Sequence, residues 1–317
     1  MPRVAVLETV DDALAAAVRA AAGPDLDLRS AAGLDAEGLA AALKGATYAV
    51  VRGARLTPEL LDGAPDIRMI HAWGTGLNCI PLEAAQARGI TVARSPGLNA
   101  PSVADLTLGL MLAVLRRIPA ADARLRQGTW KMDALWEGAR DLSELRVGLV
   151  GVGAIGQAVA RRLRGFGCDI AYTRPSGPLD GQPGWLPLEG LLESVDILSL
   201  HLPLNAATRQ LLGAAEFARM RRGAVLINTS RGGLVDQAAM IEALVSGQLG
   251  GLGLDVFDPE PPAPDNPLLS LPNTVLTPHV GGRTEDNLTR MVGNWARNIR
   301  AHHAGQPIPA SDIVFSG

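Results

Sequence analysis

The sequence predicts an α/β protein made of two doubly wound parallel-sheet domains, and three observations carry that prediction. The chain has 317 residues, more than one average domain and enough for two compact units. Short β-branched runs alternate with Ala/Leu-rich helical stretches from end to end, the signature of βαβ units. The strand-like runs fall into two series, with a long helical stretch, PSVADLTLGLMLAVLRRI (101–118), between them.

In chain order, VAVL (4–7) opens the first series as a buried parallel strand. DDALAAAVRAAA follows as a helix, then YAVV (48–51), IRMI (67–70) and ITVA (90–93) as strands, with PLEAAQARG as a helix before the last. The helix over 101–118 is expected to begin with a capping box of Ser102 and Asp105, with Val103, Leu106, Leu110, Val114 and Ile118 near one face. The next segment, ARLRQGTWKMDALWEGARDLSELR, is polar, carries Trp130 and Trp136, and reads as an excursion from the core. The second series starts at VGLVG (147–151) and runs through DIAY, DILSLHL, AVLINTS, GGLGLDVF and TVLTPHV. A helix over 284–305 then leads into a tail of Pro, Ser and Gly. The expected domains are 1–99 with 285–317, the last segment returning to the first domain, and 100–284.

Composition excludes several classes. Hydrophobic residues make up 47% and charged residues 19%, which suits packed cores and opposes disorder. The net charge of -3 leaves no broad basic field for nucleic acid. Five histidines and two cysteines give no basis for a metal centre. Cys79 and Cys168 form no CxxC pattern, as expected in a reducing cytoplasm. The opening MPRVAVLETV has no basic stretch followed by an apolar one, and LTLGLMLAVL (106–115) is too short to span a bilayer. A cytoplasmic protein with no membrane partner is the expectation.

The stretch VGLVGVGAIGQAVARRLRGFGC holds Gly151, Gly153 and Gly156 in GxGxxG spacing, between a strand and a helix. That context predicts a dinucleotide site. Gly151 permits the tight turn, Gly153 lets the pyrophosphate approach the backbone, and Gly156 lets the helix pack on the strand. The phosphates would rest on the helix N-terminus around Ala154 and Ile155. The next strand should end at an acid that accepts a hydrogen bond from the ribose 2′-OH of NAD, but it runs into Thr173 and Arg174. A carboxylate repels the 2′-phosphate of NADP, whereas an arginine clasps it. NADP is therefore the preferred cofactor in this reading, with NAD also accommodated.

Three segments at predicted strand ends each supply one chemical type: Arg231 in LINTSRGGLVD, Glu260 in GLGLDVFDPEPP and His279 in TVLTPHVGG. Hydride transfer to a carbonyl carbon requires a proton on the oxygen, and histidine suits that work near neutral pH. A carboxylate beside it favours the imidazolium and fixes the ring. An arginine binds a substrate carboxylate bidentately and polarises the adjacent carbonyl.

The chain resembles the D-isomer-specific 2-hydroxyacid dehydrogenases over nearly its whole length. The resemblance rests on GTGLNCIPLEAAQARGITVARSPGLNAPSVAD, VGLVGVGAIG, LHLPLNAATRQLL, INTSRGGLVD, LDVFDPEPP and LTPHVGG. It implies a Rossmann cofactor domain inserted into a flavodoxin-like substrate domain, closing over substrate. It also implies Arg231 as substrate anchor, Glu260 as the partner of His279, and His279 as general acid/base. Asp255 would hold the nicotinamide carboxamide, and backbone amides at Thr75 and Gly76 would receive the substrate carboxylate. Val103, His201, Pro203, Thr208, Thr229, Ser230 and Gly281 would line the cofactor site.

Asn78 and Arg94 depart from the family pattern, in which Asp and Asn are frequent. Trp73, just before the substrate loop, either narrows the pocket or anchors the loop from beneath. Arg52, ending YAVVR, either helps an anionic substrate or is solvated. The Arg231–Glu260–His279 set and the Thr173–Arg174 pair, within that resemblance, point to an NADPH-preferring reductase of glyoxylate or hydroxypyruvate; the resemblance also favours a homodimer, with Trp130 and Trp136 either at the contact or packed locally. The rival enzyme is an NAD-dependent dehydrogenase of a larger or phosphorylated D-2-hydroxy acid. A formate dehydrogenase fits less well, because formate oxidation needs no His–Glu proton relay. Outside enzymes, the rival is a dinucleotide-sensing corepressor or scaffold.

Overall fold

The computed structural model describes residues 1–131 and 138–317, and the chain divides into two units: Met1–Asn99 with Arg283–Gly317, and Ala100–Gly282. In the first unit, β1 (Arg3–Leu7), α1 (Asp12–Ala22), β2 (Asp27–Ser30), α2 (Ala36–Leu43), β3 (Tyr48–Val51), α3 (Pro58–Asp62), β4 (Met69–Ala72), α4 (Leu82–Ala87) and β5 (Thr91–Ala93) follow one another. The strands lie in the order β5-β4-β3-β1-β2, all parallel. Side chains alternate across this sheet. Leu7, Val51, Ile70 and Val92 face a core with Leu39, Leu43 and Leu61 of α2 and α3. Val6, Val50, Met69 and Ala93 face the opposite core. The buried-run pattern of the sequence has this physical origin, each fully buried aliphatic side chain contributing about 1.5–3 kcal/mol.

The second unit starts with α5 (Ala100–Leu115) and α6 (Ile118–Arg126). It continues with β6 (Arg146–Val150), α7 (Ala154–Gly165), β7 (Asp169–Thr173), α8 (Leu188–Ser194), β8 (Ile197–Leu200) and α9 (Ala214–Arg219). β9 (Ala224–Asn228), α10 (Gln237–Val245), β10 (Leu249–Leu254) and β11 (Thr274–Leu276) complete it. The sheet is parallel in the order β7-β6-β8-β9-β10-β11, and a single parallel bridge from Tyr172 to Trp185 adds a further strand position outside β7. With that position counted, the strand order is that of a Rossmann fold. α5 and α7 cover one face through Leu110, Met111, Val159 and Leu163, and α8 to α10 the other through Leu191, Leu192, Phe217 and Leu244.

The chain then returns to the first unit as α11 (Glu285–His303), whose Met291, Val292, Trp295 and Ile299 fill the core opposite α2 and α3. β12 (Ile313–Phe315) closes the open edge of β5 antiparallel. A buried polar network ties this return in place. Asn298 Nδ2 donates to His71 Nε2 at 3.0 Å and to Asp312 Oδ2 at 2.9 Å, while His71 Nδ1 donates to the Ala72 carbonyl at 2.6 Å. Burial pushes His71 down to about 4, so the ring is neutral.

Several elements depart from expectation. α5 starts at Ala100, and Asp105 pairs with Arg162 of α7 at 2.6 Å instead of completing a capping box. The helix ends at Leu115, because Arg117 adopts φ 51° and Pro119 sits in the first turn of α6; Ile118 thereby leaves the α5 face and is 51% exposed. β4 lies two residues past the predicted IRMI, its register set by Tyr48 against Met69. β2 and β12 carried no buried apolar run to reveal them; both are edge strands with no fully buried residue. The units part after Gly282, because Arg283 and the N-cap Thr284 belong with α11.

Candidate active site

Between β6 and α7 the backbone can close only through glycine. Gly151 has φ 93°, and a Cβ there would sit 2.6 Å from the His201 carbonyl oxygen, while one at Gly156 would sit 2.2 Å from that of Gly151. A Cβ at Gly153 meets nothing within 4 Å, and no side chain caps α7. The first amides of α7, including those of Ala154 and Ile155, therefore have both the space and the dipole to receive a pyrophosphate. The residues present fit a dinucleotide.

At the far end of β7, Thr173 and Arg174 are half-buried. Arg174 opens a turn in which Gly177 N–H donates to its carbonyl at 3.2 Å, and its Nε donates to Ser176 Oγ at 2.5 Å. Asp169 stands at the other end of the strand, paired with Arg146 at 3.0 Å. Among the expected cofactor contacts, His201 shares a 3.0 Å hydrogen bond with Ser199 through Nε2, and burial pushes it down to about 4. The Thr208 hydroxyl donates to the Pro203 carbonyl at 2.7 Å, so it closes its own loop. Thr107 donates to the Val103 carbonyl at 2.7 Å, which leaves Thr229 to donate to Thr107 at 3.0 Å. Ser230 Oγ donates to the Leu200 carbonyl at 2.6 Å.

Arg231, Glu260 and His279 follow β9, β10 and β11. Asn228 staples the first of these segments: its Nδ2 donates to the Arg231 carbonyl at 2.9 Å and its Oδ1 accepts from Ser230 N–H at 3.0 Å. Gly232 lets this segment lie against the residues before Glu260, since a Cβ there would fall 2.1 Å from the Phe257 carbonyl. Glu260 accepts from Phe257 N–H at 2.9 Å and from His279 Nδ1 at 2.7 Å. Burial raises the Glu260 carboxyl, but the hydrogen bonds from His279 and Phe257 and the charges of His279 and Arg231 outweigh it and hold it below the usual range. An ionised carboxylate only accepts, so His279 Nδ1 carries the proton of that bond. The His279 side chain is 49% exposed.

His279 has φ 51°, a conformation a non-glycine residue rarely adopts. Asp255, 1% exposed, over-determines it. Its Oδ1 accepts from Thr277 Oγ1 at 2.6 Å and Val280 N–H at 2.8 Å, and its Oδ2 from Gly281 N–H at 2.8 Å. Three of about four acceptor positions are thus used on the His279 turn, where the resemblance had Asp255 holding a carboxamide. Among the described residues no group of three or more His, Cys, Asp or Glu is arranged to hold a metal ion.

Residues 108–281 match the sequence profile of the D-isomer specific 2-hydroxyacid dehydrogenase, NAD binding domain. The chain belongs to the D-isomer-specific 2-hydroxyacid dehydrogenase family. It is similar to a glyoxylate reductase of Korarchaeum cryptofilum, 39% identical over 79% of this chain and 77% of that one. A hydroxypyruvate reductase of Thermotoga maritima is 39% identical over 76% of this chain and 80% of that one. A D-3-phosphoglycerate dehydrogenase of Mycobacterium bovis is 36% identical over 97% of this chain, which spans 59% of that protein. Among solved structures, the TT0316 protein of Thermus thermophilus superposes with a TM-score of 0.88 at 38% identity, covering 99% of this chain and 100% of that one. The protein is a 2-hydroxyacid oxidoreductase that uses a nicotinamide dinucleotide.

In the first unit of this dehydrogenase, Thr75 and Gly76 form an exposed turn after β4, and Thr75 Oγ1 donates to the Ser95 carbonyl at 3.1 Å. Trp73 is 6% exposed and packs 6.1 Å from Trp295, so it anchors this turn from the core. Arg52 is half-buried, 4.9 Å over the Trp73 ring. Sequence reasoning missed Asn228, Ser176, Thr107 and Glu8. Asn228 lies within a quoted motif and could have been found there; Ser176, Thr107 and Glu8 carried no local signal.

Proposed function

We propose that this oxidoreductase reduces small 2-keto acids of the glyoxylate and hydroxypyruvate type, with NADPH preferred over NADH. The observation that carries the chemistry is the 2.7 Å bond between Glu260 and His279 Nδ1, which fixes the ring and its tautomer. A bound nicotinamide supplies hydride to the carbonyl carbon. His279 gives its Nε2 proton to the carbonyl oxygen, and Glu260 holds the ring and stabilises the imidazolium beforehand. Arg231 pairs with the substrate carboxylate and polarises the carbonyl. In the oxidative direction His279 takes the proton.

The NADPH preference rests on Arg174, whose turn also presents the Ser176 hydroxyl. Both groups would donate to a 2′-phosphate. A Thr173→Asp, Arg174→Ala variant should lower the ratio of kcat/KM with NADPH to that with NADH by roughly 10–100-fold, the worth of a charged hydrogen bond. A ratio that does not move counts against the assignment. The D-3-phosphoglycerate dehydrogenase relative supports a second reading, an NAD-dependent enzyme of a phosphorylated acid, which the same kinetics separate.

We also propose a homodimer. α6 buries none of its residues, and Ile118, Leu125 and Trp130 are 51%, 50% and 82% exposed. Trp136 lies outside the described residues. Light scattering should return twice the chain mass, and a monomer mass would refute the dimer. Cys79 and Cys168 are both free thiols, which supports a reducing, cytoplasmic setting, and no helix among the described residues is long and apolar enough to cross a membrane.

A further inference from the structure

β7 ends in Tyr172 and Thr173, and the chain then runs from Arg174 to Gly184 without helix or strand until Trp185 bridges back beside Tyr172. Two backbone bonds close the base of this loop. Tyr172 N–H donates to the Gly184 carbonyl at 2.8 Å, and Leu186 N–H to the Tyr172 carbonyl at 2.9 Å. Tyr172 is 3% exposed, and its hydroxyl serves the middle of the loop. That hydroxyl accepts from Leu179 N–H at 2.8 Å and donates to the Gln182 carbonyl at 3.1 Å. Trp185 Nε1 donates to the Arg174 carbonyl at 3.4 Å, the same oxygen that accepts from Gly177 N–H.

These contacts stand in for packing. A segment with no ladder of its own takes its shape from the few groups that satisfy its backbone. A cavity of about 250 Å³ lies between α7, β7 and the Gln182–Pro183 part of the loop, lined by Val152, Gln157, Ala160 and Ile170. That part therefore rests on the Tyr172 hydroxyl and not on α7. The start of the loop carries Arg174, whose Nε donates to Ser176 Oγ, while its Nη1 and Nη2 donate to no described residue. A guanidinium clasps a phosphate through a planar fork, so the backbone beneath it must point the fork one way. The Arg174 carbonyl is the handle by which Trp185 holds that backbone. Leu179 and Trp185 both pack against the α5–α7 core, which ties the handle to the body of the unit.

We infer that Tyr172 and Trp185 are positioning residues for cofactor choice, acting through Arg174. The phenol hydroxyl and the indole N–H set the 174–177 turn, and that turn sets the discrimination between a 2′-phosphate and a 2′-hydroxyl. The inference rests on the NADPH reading and adds what holds its arginine in place.

The test is calorimetric affinity for adenosine 2′,5′-bisphosphate and adenosine 5′-monophosphate, which differ by the 2′-phosphate alone and need no substrate. The proteins are the wild type, Tyr172→Phe, Trp185→Phe, Arg174→Ala and the double variant Tyr172→Phe with Arg174→Ala. The wild type should favour the bisphosphate. Its preference should fall roughly 3–10-fold in Tyr172→Phe and in Trp185→Phe, the worth of a neutral hydrogen bond, with affinity for the monophosphate kept. Arg174→Ala should lower it further. The NADPH-to-NADH ratio of kcat/KM should follow, through the KM for NADPH and with kcat unchanged. In the double variant, Tyr172→Phe should take nothing beyond the loss in Arg174→Ala, because positioning has no group left to act on. A merely structural role would weaken both ligands equally. Circular dichroism checks folding, and Tyr172→Phe, which keeps the buried ring, decides if Trp185→Phe misfolds. An unchanged preference in Tyr172→Phe, or additive losses in the double variant, overturns the inference. A wild type with no preference for the bisphosphate overturns the NADPH reading beneath it as well.

Discussion

Two histidines stand just beyond strand ends of the same parallel sheet, His201 after β8 and His279 after β11, and their surroundings give them opposite chemistry. His201 sits against the glycine turn, shares Nε2 with Ser199, and is held neutral by burial at about 4. His279 is half exposed, faces an ionised carboxylate at 2.7 Å, and is carried on a left-handed residue fixed by Asp255. Desolvation alone opposes a charge on imidazole; a paired carboxylate with solvent access permits one. Proton transfer thus depends on the partner and on access, and position at a strand end is insufficient.

The largest effect that could break this contrast is on turnover. His279→Ala should lower kcat by roughly 10²–10⁴-fold, the usual contribution of a positioned acid or base, with dinucleotide affinity largely kept. His201→Ala should act the other way round, raising the KM for the dinucleotide and lowering thermal stability, with a much smaller loss in kcat. Steady-state kinetics and dinucleotide titration on both variants check this. Unimpaired turnover in His279→Ala would sink its assignment, and equal kcat losses at the two positions would erase the distinction.

The candidate cofactor and catalytic segments were legible because the backbone demands unusual residues there. The GxGxxG turn tolerates no Cβ at Gly151 or Gly156, and Gly232 is needed for the Arg231 segment to approach Phe257. Such constraints write themselves into sequence as motifs. Partners far apart in the chain leave no such mark. Glu8 meets Arg52 only through the register of β1 and β3, and Thr107 meets Thr229 across 122 positions. The parallel strands showed in their apolar runs, but the edge strands β2 and β12 did not, because an edge strand need not be buried on both faces. The break between α5 and α6 was hidden too: Pro119 marked it, yet apolar spacing continued through Ile118.

A smaller effect extends the contrast to stability, with one buried neutral histidine in each unit. His71 and His201 are both lowered by burial from 6.5 to about 4. The unfolded chain takes up these protons near 6.5, whereas the folded chain resists until about 4. Stability is therefore intact above 6.5 and declines as pH falls toward 4. At pH 5 the loss is about 2 kcal/mol per histidine, on the linkage relation with these values. His302, also lowered by burial, adds to the first unit in the same direction. The lowered carboxyls of Asp25, Glu260 and Asp312 contribute only at more acidic pH, because their protons bind below the carboxylate range. Thermal unfolding should show Tm falling by several degrees between pH 7.5 and 5, with most of the fall below 6.5. Replacing His201 by Asn should flatten that fall for the second unit while leaving the first unchanged. A Tm independent of pH over this range would mean that these rings are hydrated in the folded protein, and His201 would no longer stand as the neutral counterpart of His279.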